Sequence, residues 1–453
     1  MISENGSWII RFDRSAKVLL ALSFLLVFGA VEAWAAVSGD KVWSAGYASI
    51  GKKDDIPQAI VVGPNGSVYV TGAGASDYAT VKYAPSGVLK WVKRYHGPGA
   101  GGDSAAAMAL DKRGSIYVTG VSAGVDSGPD FATIKYSARG AEKWVRRFNG
   151  RDNGEDQAAS IAVGSTGVYV TGHSQGLKTR MDYITIKYGF DGRVKWAKRY
   201  NGPGNSNDVA SKIVVDGANS VYVTGTSASD YATVKYNSAG RIQWVARYNG
   251  PANKVDSAAA LVADGAGNVI VAGSSQTSST AGAIAVVKYD AAGIEQWAQR
   301  YDGPTTMFDW PAGIGVDPSG NIYVAGTSYS EFTGTLPFDP SDFVTIKYNS
   351  AGVEQWVRLK TDFDSASALA VGRNGNIFVA GQATTGPMGW PDYATAKYDT
   401  NGNLQWAKTF SSPGQNSDFA TGIALNRAGA AYVTGAAYNN LTGGDFATVK
   451  YAP

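Results

Sequence analysis

Residues 104–148 read SAAAMALDKRGSIYVTGVSAGVDSGPDFATIKYSARGAEKWVRRF. Four short runs stand out: SAAAMAL from Ser104, SIYVTGV from Ser115, DFATIKY from Asp130 and EKWVRRF from Glu142. Their β-branched and aromatic residues mark strands, and DKRG and SARG bring the glycine that a tight hairpin turn needs at positive φ. The stretch is one antiparallel unit of four strands, here called a, b, c and d. A single such sheet cannot bury both faces, so it must stack against others.

The unit repeats. Trp43, Trp91, Trp144, Trp196, Trp244, Trp297, Trp356 and Trp406 recur roughly every 50 residues, a period that signals a propeller or an array. A Lys-Tyr pair recurs eight times, from Lys82-Tyr83 to Lys450-Tyr451. A b-strand segment of the form VYVTG starts at Val68, Ile116, Val168, Val221, Val269, Ile322, Ile377 and Ala431. The series opens with a lone d strand, KVWSAGY from Lys41, and stops after a c strand, DFATVKY from Asp445. Pairing these two removes the exposed edges that an open stack would leave. The expected fold is therefore all-β, a single eight-bladed β-propeller with four antiparallel strands per blade. Its ring is closed by the N-terminal outer strand, residues 41–47, pairing with the C-terminal blade at 445–451.

The first 35 residues differ in kind. Arg11, Arg14 and Lys17 precede an apolar run from Val18 to Val31, and Ala33-Trp34-Ala35 offers a small-x-small cleavage site. The run is shorter than the roughly 20 residues of a spanning helix. Residues 1–35 thus read as a signal peptide and 36–453 as the propeller, exported to the periplasm, the cell surface or the medium. No cysteine is present, so neither disulfides nor a lipid-modified cysteine is available. A net charge of +3, spread evenly, gives no footprint for nucleic acid, and no integral membrane span is expected in the mature form.

DFATVKY, the GxxxW spacing, RYNGP from Arg199 and from Arg247, the D-x-A-x-x-I-A-V run from Asp156 and the VYVTG strand resemble the bacterial SBBP-type β-propeller repeat over residues 41–451. The resemblance implies a secreted or envelope-associated propeller and carries over no catalytic residue. KYDAAGIEQW from Lys288 is also similar to the blade motif of quinoprotein dehydrogenases, over about ten residues per blade. The vicinal disulfide of many such enzymes is impossible here, and no cofactor is expected.

Residues present in every blade serve the blade. Asp55, Asp103, Asp156, Asp208, Asp256, Asp309, Asp364 and Asp418 precede the a strands and are expected to accept loop N–H groups. Asp77, Asp130, Asp182, Asp230, Asp342, Asp392 and Asp445 open the c strands. Blade 5 instead has Ala283, with Val286 where other blades have Thr, which suggests that Asp and Thr share one bonding arrangement. Lys82 is expected diagonal to Trp91, its stem on the indole and its ammonium at the rim.

Two histidines, His96 and His173, are too few for a His-based metal site and are expected in solvated loops. Asp399-Thr-Asn401-Gly-Asn403 lacks the distal Glu of a calcium loop, and the acidic stretch at 151–156 is the better cation candidate; no metal is expected. G-x-S-x-G and Walker A motifs are absent, so catalytic residues stay unassigned.

A local function belongs where blades differ. The b–c and d–a connections open on one face of a propeller. The longest b–c connection, in blade 6, carries Tyr329, Phe332 and Phe338; the d–a connection before it carries Met307, Phe308 and Trp310; the blade 7 b–c connection carries Met388 and Trp390. Their aromatics are expected to converge as a binding surface for a protein or glycan. The sequence thus points to a monomeric, non-catalytic binding or interaction scaffold. A hydrolase or lyase using acidic residues on the same face, and a passive surface or matrix protein, are the alternatives.

Overall fold

The computed structural model describes residues 37–49, 53–278, 281–305, 307–329, 341–384, 389–413, 416–439 and 441–453; the expected signal peptide lies outside them. Among the described residues, 32 strands form eight four-stranded antiparallel sheets. Blades 1 to 8 span residues 55–95, 104–148, 156–200, 208–248, 256–301, 310–360, 365–410 and 418–451, and blade 8 takes its d strand, Lys41–Tyr47, from the other end of the chain. Each a strand packs against the a strands of both neighbouring blades, blade 8 against blade 1 included, so the a strands form the inner wall of a closed ring.

Burial follows position in the blade. The b strand Val68–Gly74 is buried almost throughout because neighbouring blades cover both its faces, which is why VYVTG reads as a continuous apolar run. The d strand Val194–Tyr200 lies outermost and is largely exposed. In every blade the a strand bulges, in blade 2 between Ala105 and Ala107. The glycine of the b strand faces that bulge. A Cβ on Gly120 would lie 2.1 Å from the Ser104 carbonyl oxygen, so close backbone approach dictates this glycine.

GxxxW is a lock between blades. Gly240 opens strand d of blade 4 at φ 77°, and a Cβ there would lie 2.8 Å from the Trp196 indole of blade 3. Trp196 Nε1 donates to the Ser238 carbonyl in the same turn at 3.1 Å. Lys187 Nζ donates to that carbonyl too, also at 3.1 Å, while lying 5.1 Å from the Tyr169 ring centre. Blade 1 repeats the arrangement with Lys82 and Trp91 on the Ala138 carbonyl. The expected diagonal placement is thereby corrected. A register shift between Lys82 and Tyr83 makes Lys82 and Trp91 direct partners, and the ammonium caps the next blade instead of reaching the rim.

The ring closes as expected, with Lys41–Tyr47 antiparallel to the c strand Gly443–Tyr451. More than a strand is supplied. Ala452 N–H donates to the Asp40 carbonyl at 2.9 Å, and Gly39 N–H to the Ala452 carbonyl at 3.3 Å. Ala84 with Val88, and Gly87 with Ala84, make the same two bonds in the continuous c–d turn of blade 1. Gly39 also lies against Trp406, as the other GxxxW glycines lie against their tryptophans. Residues 38–40 and 451–453 together rebuild a c–d turn in which no peptide bond joins Pro453 to Ser38.

Candidate functional site

The a-strand aspartates are clips. Asp103 accepts the N–H of Gly97 at 2.6 Å and of Ala123 at 3.0 Å, tying the d–a and b–c connections together. Asp55 does the same with Ser49 and Ala75. Burial pushes the carboxyls of Asp55, Asp156, Asp208, Asp256 and Asp309 up against the bonds they accept, and that of Asp418 up to about 6. Blade 7 departs from the pattern: Asp364 accepts from the side chain of Thr384, Oγ1, at 2.6 Å.

The c-strand Asp and Thr belong to two arrangements, not the single one their joint loss suggested. Thr71 and Thr80 bond each other at 3.0 Å inside blade 1, whereas Asp77 pairs with Arg94 at 2.8 Å at the rim. In blade 5 Val286 faces Ala272, so the Thr pair is lost together, while Arg300 remains and bonds Ser275 Oγ at 2.6 Å.

Of the expected binding residues, Phe332, Phe338 and Met388 lie outside the described residues. Phe308 and Trp310 stack with ring centres 5.3 Å apart and planes 23° from parallel. Trp310 begins strand a of blade 6 opposite Thr327, while Met307 and Phe308 run beside Gly282 of blade 5, where a Cβ would meet the Phe308 ring at 2.7 Å. Tyr329 is tied in through its carbonyl, which accepts from Thr305 Oγ1 at 2.9 Å. Trp310 is 47% exposed and Trp390, just before strand c of blade 7, is 44% exposed. Among the described residues no ring contact joins Trp390 to the Phe308–Trp310 stack.

His173 is not in a loop. It sits within the b strand Val168–Gln175, where burial holds its imidazole below the ordinary range despite Glu155 nearby at 3.9 Å. His96 is exposed, and a grouping that sequence reasoning missed forms around it. Its Nδ1 lies 3.0 Å from Asp77 and 3.6 Å from Asp103. The sequence signal was its place just after strand d, where other blades carry Asn149, Asn201 or Asn249. Both carboxylates are already engaged, Asp77 by Arg94 and Asp103 by backbone N–H groups, so the cluster is a loop anchor. Asp399 accepts the N–H groups of Asn401 and Asn403, both at 2.9 Å, which makes that stretch an ordinary turn.

These features define a closed eight-bladed β-propeller whose b–c and d–a face departs from its own repeat in blades 5 to 8. Residues 308–333 match the β-propeller repeat family SBBP, and the chain carries that repeat. Among solved structures, the WD40 domain of Pan2 from Neurospora crassa is similar at 12% identity and TM-score 0.47, covering 77% of this chain and 89% of that one. A protein from Lactobacillus plantarum is similar at 15% identity and TM-score 0.46, covering 73% and 91%. A gluconolactonase from Xanthomonas campestris is similar at 12% and 0.32, covering 65% and 97%. At TM-scores below 0.5 none of the three bears on what this chain does. No curated protein matches it significantly. Among the described residues, no helix is long and apolar enough to cross a membrane.

Proposed function

We propose that the chain is an exported, monomeric propeller that binds a protein or glycan partner, without catalysis, through the b–c and d–a connections of blades 6 and 7. The observation that carries this reading is the stacked Phe308–Trp310 pair at the start of strand a of blade 6, in which Trp310 is half-exposed and the partly buried Phe308 supports it. A flat aromatic surface fixed by scaffold strands loses little entropy on binding and suits a sugar face or an apolar side chain. The hydrolase alternative needs two facing carboxylates with separated roles. Among the described residues two carboxyls are raised to about 6, both chiefly by burial: Asp418, bonded to Ser412 and Tyr438 with a lesser influence of Asp392, and Asp445, with lesser influences of Asp55 and Asp54. Residues 1–35 serve as the export signal in this reading.

Glycan-array and pull-down binding would be compared between the wild type and a Trp310→Ala, Trp390→Ala double variant. Both positions are partly solvent-facing, so the fold should persist, and affinity for any ligand captured by the wild type should fall about tenfold or more. Unchanged binding by the double variant sinks the proposal.

A further inference from the structure

In blades 1 to 4 one arginine of strand d fills the rim. Arg94, Arg147, Arg199 and Arg247 pair with Asp77, Asp130, Asp182 and Asp230 at 2.8, 2.7, 2.8 and 2.9 Å. Each guanidinium also donates to a b-strand carbonyl: Gly74 at 2.8 Å, Ser122 at 3.1 Å, Ser174 at 2.8 Å and Ser227 at 2.6 Å. Four copies therefore show what this rim position holds, a planar cation gripped by a carboxylate and a carbonyl.

Blade 8 keeps the acceptors and lacks the cation. Gly46 faces Ala447 as Arg94 faces Ala79, and Asp445 faces Ala437 as Asp77 faces Gly74. Ser44-Ala45-Gly46 thus stands where blade 1 has Val92-Lys93-Arg94. A cavity of about 550 Å³ opens there, walled by Tyr47, Phe410, Ala437, Leu441, Asp445 and Phe446 among others. Asp445 Oδ2 accepts from Asn439 at 2.7 Å and Thr442 at 2.6 Å, while Oδ1 is buried without a hydrogen-bond partner. Asp54 and Asp55 add negative charge behind it, each already bonded to backbone N–H groups. Among the described residues of the wall, Lys41 is the one cation, and its ammonium lies over the Phe410 ring at 5.7 Å. Burial, with Asp55 and Asp54 adding to it, pushes the Asp445 carboxyl up to about 6 against its two hydrogen bonds.

We propose that this groove binds the guanidinium group of an incoming ligand, seated between Asp445 and the Ala437 carbonyl, in the place that Arg94, Arg147, Arg199 and Arg247 hold in their own blades. A planar guanidinium serves two acceptors at once and stacks on a ring such as Phe410, whereas an ammonium does neither as well. The site is separate from the aromatic surface of blades 6 and 7 and does not rest on it.

Calorimetric titration of the full chain at pH 7.5 tests this with two guanidinium probes, agmatine and the peptide Gly-Arg-Gly, against their ammonium counterparts cadaverine and Gly-Lys-Gly. Binding of a guanidinium probe is expected, about tenfold or more tighter than its ammonium counterpart. Tighter binding of agmatine assigns a free guanidine, and tighter binding of the peptide an arginine side chain. Asp445→Asn should weaken binding about tenfold or more. Gly46→Arg, which supplies the guanidinium from within, should abolish it at an unchanged near-UV spectrum. Asp445→Asn carries the test alone if Gly46→Arg does not fold. A wild type that binds neither guanidinium probe at millimolar concentration overturns the proposal, as does binding that Asp445→Asn leaves intact.

Discussion

At the scale of single residues, glycine and aspartate decide more than their chemistry alone suggests. Gly240 combines a left-handed φ of 77° with contact against Trp196, so a methyl group there meets both backbone strain and an indole. Gly240→Ala should cost about 1–3 kcal/mol in denaturant unfolding. Gly217→Ala, where a Cβ would have nothing within 4 Å, is the matched control and should stay within about 0.5 kcal/mol. An equal loss in both would show that the lock between blades contributes nothing. Asp445 makes the opposite prediction, a gain. Its carboxyl is raised from the ordinary 3.8 to about 6, so the folded protein holds that proton more tightly than the unfolded chain. Stability from this group is full below about pH 4 and is lost as pH rises through 6. The shift sets a ceiling near 3 kcal/mol, which partial solvent access reduces to about 1 kcal/mol. Asp445→Asn removes the cost and should melt higher than the wild type at pH 7.5, with no difference at pH 4. A variant that melts equally at both values would show Asp445 to be unstrained, and with that the groove would lose its character as a site held at a cost in stability.

At the scale of strands and turns, the sequence was legible wherever periodicity and turn chemistry speak for themselves. Four runs per unit, eight units and the pairing of residues 41–47 with the last c strand all follow from alternation, glycine spacing and the offset of the two ends. Contacts between blades were not legible. The register shift beside Lys82 moves its partner by one residue, and a shift of one residue redirects every side chain that follows. The Thr pair and the Asp–Arg pair were merged because blade 5 loses both at once, and only their positions on inner and outer strands separate them. Phe308 and Trp310 could be named because they break the repeat, although their stacking needed coordinates. The blade 8 groove was hidden for a different reason. Gly46 becomes conspicuous only when KVWSAGY is laid against LKWVKRY, and those strands belong to blades at opposite ends of the chain. An absent arginine also leaves no motif to find.

At the scale of the whole molecule, the ring depends on one discontinuity, and its geometry states how it can be mended. The last residues, Lys450-Tyr451-Ala452-Pro453, followed by Ser38-Gly39-Asp40-Lys41-Val42-Trp43, read KYAPSGDKVW. Residues 82–91 of blade 1 read KYAPSGVLKW. The first six positions coincide, up to the turn glycine, except for the break itself, and the hydrogen bonds across the break match those of the unbroken turn. Joining Pro453 directly to Ser38 should therefore create a ready-made c–d hairpin rather than a strained linker. New ends can be opened between Gly101 and Gly102, exposed residues of the connection from blade 1 to blade 2. Such a permutant holds all four strands of blade 8 on one continuous segment, so the outer strand can no longer fray independently of its blade. It should fold with the native near-UV spectrum and melt at or above the temperature of the original chain. Deleting residues 37–47 from the original chain should do the reverse, because it removes the outer strand of blade 8 together with the turn that meets Trp406. The permutant melting below the original chain would show that the two ends meet as separate strands and not as one interrupted turn.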